Sequence, residues 1–125
     1  MADNEEIRKR LIESLVGYLS GPDDDLRLTA IEALLMSTWD PAWTPRHLID
    51  AGGVVPLIAC LSDAAAPVRS AAAQLIGILV RKGEPGVVVE AGARHALEKL
   101  QADPDPVVRA HAAEGLLALQ TQKCT

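Results

Sequence analysis

The chain has 125 residues, too few for two independent cores, and 49% of them are apolar although only 2% are aromatic, so its core must be built from Ala, Leu, Ile and Val, a choice that favours close-packed helices. Twelve basic against seventeen acidic residues leave a net charge of −5, a balance that repels phosphate backbones and argues against nucleic acid as a partner. The opening MADNEEIRKR lacks the apolar stretch of a signal peptide, no run approaches a membrane span, and two cysteines do not make a disulfide framework; a soluble, cytoplasmic protein with no membrane contact is expected.

In chain order, a first helix is predicted over 4–19, capped by Asn4 or Asp3 with Glu5 and Glu6 in its opening turn. Its polar residues Glu5, Glu6, Arg8, Lys9, Arg10 and Glu13 are expected to face water and close that end of the fold, while Ile7, Leu11 and Leu15 turn inward. The second helix, 24–38, begins at the run DDD (23–25), which reads as negative charge placed at a helix N-terminus, with a site for a basic partner the lesser reading. Then comes STWDPAWTP (37–45), which holds both tryptophans of the chain. Further helices are predicted over 45–51, 54–62, 67–82, 85–91, 93–101 and 106–121. Pro67 and Pro106 stand where two of them begin, a place that costs proline no hydrogen bond, and Asp105 is placed to cap the last.

These elements repeat. DLRLTAIEALLMS (25–37), PVRSAAAQLIGIL (67–79) and VVRAHAAEGLLAL (107–119) align on Arg27, Arg69 and Arg109, at spacings of 42 and 40. An apolar residue precedes each arginine (Leu26, Val68, Val108), an alanine follows three later (Ala30, Ala72, Ala112), and Leu34, Ile76 and Leu116 complete an apolar face. The alanines let helix axes approach closely. Upstream, Leu15, Leu57 and Leu97 align, as do Tyr18, Cys60 and Leu100. IDAGGVVPL (49–57) and VEAGARHAL (89–97) each carry a glycine suited to the left-handed cap between two helices.

AGGVVPLIACLSDAAAPVRSAAAQLIGIL and AGARHALEKLQADPDPVVRAHAAEGLLAL resemble armadillo repeats, and DPDPVVRAHAAEGL is equally similar to HEAT repeats. The resemblance covers most of residues 9–120. It implies an all-α, right-handed armadillo/HEAT-like solenoid of about three repeats, near 4–44, 45–84 and 85–121, in a single domain spanning 1–125. The first repeat lacks its short opening helix. In HEAT repeats an Asp six residues before an Arg helps to build a hydrogen-bond ladder. Asp63 with Arg69 and Asp103 with Arg109 fit that pattern, whereas Gly21 precedes Arg27, so the ladder is expected to lapse at the N-terminal end.

The resemblance further implies a concave binding surface lined by the third helices, and no catalysis. Armadillo receptors for extended peptides present a Trp and, four residues on, an Asn from each third helix. The matching positions here are Glu32 and Met36, Gln74 and Ile78, Glu114 and Ala118, which disfavours that peptide clamp. The partner-binding candidates are Glu32, Met36, Trp39, Trp43, Gln74, Ile78, Arg81, Glu114 and Ala118, a mixture suited to a folded surface or a helix more than to an extended strand. Residues 1–62 carry ten acids against five bases, which suits a basic partner, although a solvated surface explains it too. For the tryptophans, one reading has them cover the end of the small first repeat and the other makes them anchors for a partner. Trp43 is expected to be largely buried and Trp39 to stand open at the groove edge.

Other constellations offer less. His47, His95 and His111 lack the spacing or cysteine company of a metal site, and no metal or cofactor is expected. His47 and Asp50, one turn apart, suit an exposed hydrogen bond. GEPG (83–86) joins two helices and is no phosphate loop. Cys60 reads as a buried core thiol, Cys124 as part of the tail. Leu117 falls on a helix with no later helix to cover it, which points to self-association through the C-terminal end or to a place in a longer solenoid. The resulting expectation is a non-enzymatic protein-binding module. AAAQLIG and its flanks also resemble the armadillo nucleotide-exchange factors of heat-shock chaperones. HEAT-like repeats also occur in bilin lyases and some DNA glycosylases, and the acidic charge and the lack of a clefted acid or nucleophile argue against both.

Overall fold

The structure, a computed structural model, describes residues 4–123, with side chains to residue 121; Asp3 and Cys124 lie outside the described residues. Eight α-helices follow one another there with no strand: α1 (Asn4–Tyr18), α2 (Asp24–Ser37), α3 (Pro45–Asp50), α4 (Val54–Ala59) continued by a 3-10 turn (Cys60–Ser62), α5 (Ala66–Arg81), α6 (Pro85–Glu90), α7 (Ala93–Leu100) and α8 (Pro106–Lys123). The expected order of helices is met throughout, the predicted helix over 54–62 tightening into a 3-10 turn at its end. None of these helices is long and apolar enough to cross a membrane.

Helix α5 is the centre of the stack, packed between α2 and α8. Its sequence gives it helix-forming alanines with a proline in the first turn, and Gly83, at φ 108°, lets the chain turn out of it. Val68, Ala72, Leu75, Ile76, Leu79 and Val80 are all sealed from water, each large aliphatic side chain contributing about 1.5–3 kcal/mol by burial. Helices α5 and α8 come close at two glycines. A Cβ placed on Gly77 would stand 3.7 Å from the Cα of Gly115, and one on Gly115 would stand 3.1 Å from Leu97. Within the second and third units, the short and following helices turn at Gly52 (φ 75°) and Gly92 (φ 96°), as the glycine pattern led one to expect.

The arginine ladder runs between units, and this corrects the expected pairing. Arg27 Nε donates to Asp63 Oδ2 at 2.7 Å, and Arg69 donates to both oxygens of Asp103, at 2.8 and 3.1 Å. The residue six before each arginine supplies only its carbonyl: Gly21 to Arg27 at 2.7 Å, Asp63 to Arg69 at 2.8 Å, and Asp103 to Arg109 at 2.7 Å. Glycine has that carbonyl as any residue does, so the ladder does not lapse at Gly21. The hydrogen bond from Arg69 holds the Asp103 carboxyl below the usual carboxylate range. For Asp63 burial works the other way, yet the hydrogen bonds from Arg27 and the Ala65 N–H still bring it down.

Helix α1 also departs from expectation. Ile7 and Leu11 face water, while Ile12 and Val16 are the buried residues and Leu15 is half-buried. The periodicity was compatible with either face, and the neighbouring chain chose. Arg8 bonds Glu5 of the same helix at 2.9 Å and Asp40 at 2.7 Å.

Candidate partner-binding face

Helices α2, α5 and α8 lie side by side, with α5 in the middle. Residues at helical spacing on their common face line shallow concavities. One of about 360 Å³ lies among Leu28, Glu32, Leu35, Ser70, Gln74 and Val107. A second of about 390 Å³ lies among Glu32, Leu35, Met36, Trp39, Gln74 and Ile78. The two share Glu32, Leu35 and Gln74, so they form one groove between α2 and α5. A smaller one, of about 230 Å³, lies among Arg81, Glu114, Leu117, Ala118 and Thr121.

Within STWDPAWTP a pinned turn separates the two tryptophans. Asp40 accepts from Arg8 and, through its other oxygen, from the Ala42 N–H at 2.9 Å, and the Trp43 N–H donates to the Asp40 carbonyl at 2.9 Å. First the Ala42 N–H and then Arg8 keep the Asp40 carboxyl below its ordinary range. Trp39, one residue before this turn, is 80% exposed beside Met36, which is 61% exposed. Trp43, after the turn, is 6% exposed and belongs to the core. Trp43 is buried, as expected, and its ring offers a partner almost no surface, which removes it from the binding candidates.

Charge on the face is mainly negative. Glu32 borders both halves of the groove and Asp105 borders one of them, while Glu114 lies by the smaller concavity. Arg81 is the one base lining these concavities; its guanidinium folds back over Gly77, where a Cβ would stand 3.3 Å from Nη1. Ala118, also named as a candidate, is buried and forms only the floor. Glu32, Met36, Trp39, Gln74 and Ile78 come together around one hollow, and Arg81 and Glu114 around another. Leu28, Leu35, Ser70 and Thr121 were missed. Leu28 and Ser70 stand four residues before Glu32 and Gln74, so helical spacing alone could have found them.

The remaining reactive groups have structural duties. His47 accepts from the Thr44 N–H at 3.1 Å and its other nitrogen meets Glu5, so its partners are a helix cap and α1, not Asp50; Asp50 lies 3.8 Å from Arg46 instead. Asp23 caps α2 by accepting from Asp25 and Leu26 N–H groups at 2.9 and 3.3 Å. Asp105 caps α8 in the same way, through Val107 and Val108 at 2.8 and 3.3 Å. Asp23, Asp24 and Asp25 are the one cluster of potential metal ligands among the described residues, and all three are exposed. Cys60 is buried, which pushes its thiol up to about 11.

No protein-family model and no curated protein matches the chain. Solved structures do. The chain is similar to an engineered protein at a TM-score of 0.82 and 26% identity, over 89% of this chain and 46% of that one. It is similar to computationally designed armadillo repeat proteins for modular peptide recognition at a TM-score of 0.78 and 29% identity, over 93% and 51%. A designed armadillo repeat protein in complex with the peptide (KR)4 gives a TM-score of 0.75 and 28% identity, over 94% and 52%. The chain thus spans about half the length of the structures it matches.

Proposed function

We propose that this all-α solenoid, whose fold is that of the armadillo repeats, is a non-catalytic adaptor that binds a basic segment of a protein partner, folded surface or helix, along the groove between α2 and α5, and that it does so in the cytoplasm. One observation carries the reading: Trp39 stands 80% exposed at the end of a groove lined by Met36, Glu32 and Gln74. A large aromatic held out by a pinned turn loses little freedom on binding and offers a flat face to an aliphatic stem or a cation. Glu32 beside it supplies the opposite charge. The (KR)4 peptide held by a designed armadillo protein of similar fold supports a basic partner for this one.

The test is a titration with two probes, the (KR)4 peptide and an amphipathic helical peptide rich in Lys and Leu, followed by tryptophan fluorescence and by anisotropy of the labelled peptide. Binding should weaken with salt, and Trp39→Ala and Glu32→Lys should each lower affinity by about tenfold or more. The helical probe should bind more tightly than (KR)4. Failure of both probes to bind, or binding indifferent to both substitutions, would overturn the proposal.

A further inference from the structure

Among the described residues, the first and the last unit each expose positions that the joints between units cover. On α8, Ala113, Leu117 and Gln120 face water, although their counterparts one repeat earlier, Ala73, Gly77 and Val80, are buried under α8. At the other end Leu11, Tyr18 and Leu26 are exposed, whereas their counterparts in the third unit, Ala93, Leu100 and Val108, are buried. The second unit shows what covers such positions: Cys60, the counterpart of Tyr18, gives its Sγ–H to the Leu19 carbonyl of the preceding unit at 3.7 Å. Leu11 and Tyr18 fall on one face of α1, while Glu5, Lys9, Arg10 and Glu13 are exposed as expected.

The two exposed ends are therefore the two unlike halves of one joint, which the chain already makes twice within itself. We propose that the chain stacks head to tail, the α8 end of one copy taking the α1–α2 end of a second and continuing the stack. A joint between unlike halves is heterologous, and unless its rotation closes a ring it leaves a free end for a further copy.

The ladder gives this end a charge. Arg109 makes the same backbone bond as Arg27 and Arg69, through Nη1 to the carbonyl six residues back. Its Nε edge, where Arg27 meets Asp63 and Arg69 meets Asp103, has no carboxylate among the described residues. By the same alignment a second copy places Gly21 opposite the rung and Asp23 where Asp105 stands near Arg69. Asp105 does act on Arg69 there, helping to keep it charged. Asp23 would act on Arg109 likewise, with Asp24 and Asp25 beside it. The second copy lacks the full rung, so the external joint should be weaker than the internal ones and reversible. The groove between α2 and α5 contains none of these external-joint residues and stays open in such a stack.

Sedimentation velocity of the full chain over roughly 1–500 µM tests this, a range that covers weak joints with Kd near the micromolar to sub-millimolar scale. The weight-average coefficient should rise with concentration. Leu117→Glu and Leu11→Glu should each leave a monomer, with unchanged circular dichroism because both side chains are exposed. An equimolar mixture of the two variants should form a dimer and nothing larger, since one variant keeps a sound α8 end and the other a sound α1 end. Arg109→Asp should weaken the wild-type association by about tenfold. If a glutamate disturbs its helix, Leu11→Ser and Leu117→Ser should reproduce the pattern. A wild type monomeric at every concentration overturns the proposal. So does association sensitive to Leu117 but indifferent to Leu11, the mark of two α8 ends meeting each other.

Discussion

Arg69 reaches forward 34 residues to grip both oxygens of Asp103 while Asp103, with one of those oxygens, also accepts from the Asp105 N–H at 2.9 Å. One carboxylate thus joins the second unit to the third and fixes the turn from which α8 starts. Asp103→Ala removes both attachments and should cost about 1–3 kcal/mol. Asp103→Asn keeps an oxygen for the cap and should cost less. Urea unfolding of the three proteins gives the order, and an alanine variant as stable as wild type would show that the rung carries no net stability.

The same group sets an acid limit. Hydrogen bonds from Arg69 keep Asp103 below its ordinary value, and Asp63 and Asp40 are lowered too. A carboxylate lowered in the folded state contributes stability above the unfolded value, about 3.9, and loses it as pH falls through the lowered folded value. The urea midpoint should therefore be flat near neutrality and fall below about pH 4. In Asp103→Ala that fall should be shallower; an equal slope would remove Asp103 from the account.

Ala72 is wholly buried where α5 meets its neighbours. Ala72→Leu adds volume to a packed contact and should cost about 1–3 kcal/mol, seen as a lower melting temperature with a helical spectrum retained. Ala72→Gly should also destabilise, by about 1 kcal/mol, through helix propensity. A fully stable leucine variant would mean that the helices part there without cost.

The two tryptophans should separate cleanly in acrylamide quenching of single-tryptophan variants, Trp39 being quenched far more readily than Trp43. Trp43→Ala should cost about 3–5 kcal/mol, as large aromatic truncations in cores do. Trp39→Ala should change stability by less than about 0.5 kcal/mol. Comparable quenching of both would mean that the turn at Asp40 does not hold.

The fold was legible because its signal is repeated. Arg27, Arg69 and Arg109 set the register, and the glycines at 52 and 92 marked the turns. What the repeat could not show was anything that differs between units. Gly77 and Gly115, which face each other between α5 and α8, align with Leu117 and Leu75 rather than with each other, so the alignment hid them and drew attention to the alanines. The ladder's direction was hidden for another reason. Spacing in sequence shows the Asp six before each Arg, whereas the side chain that Arg meets lies one unit on. In the candidate site, Glu32, Met36, Gln74 and Ile78 followed from the resemblance to armadillo repeats, whose third helices present the matching positions. Trp39 and Trp43 flank a turn whose Asp40 also bonds Arg8, 32 residues away, and no local pattern carries that contact.

Cys60 gives the joint between the first and second units a clock. Its thiol is pushed up to about 11 by burial, which keeps it from ionising at neutral pH, and the thiolate is the species that reacts. An alkylating reagent must then wait for the 3-10 turn to open from the elements packed on it, the Leu19 carbonyl among them, before it can reach the sulfur. As reagent concentration rises, the labelling rate should level off at the rate of that parting. A single atom of this chain therefore reports how often the middle of the stack opens around the 3-10 turn.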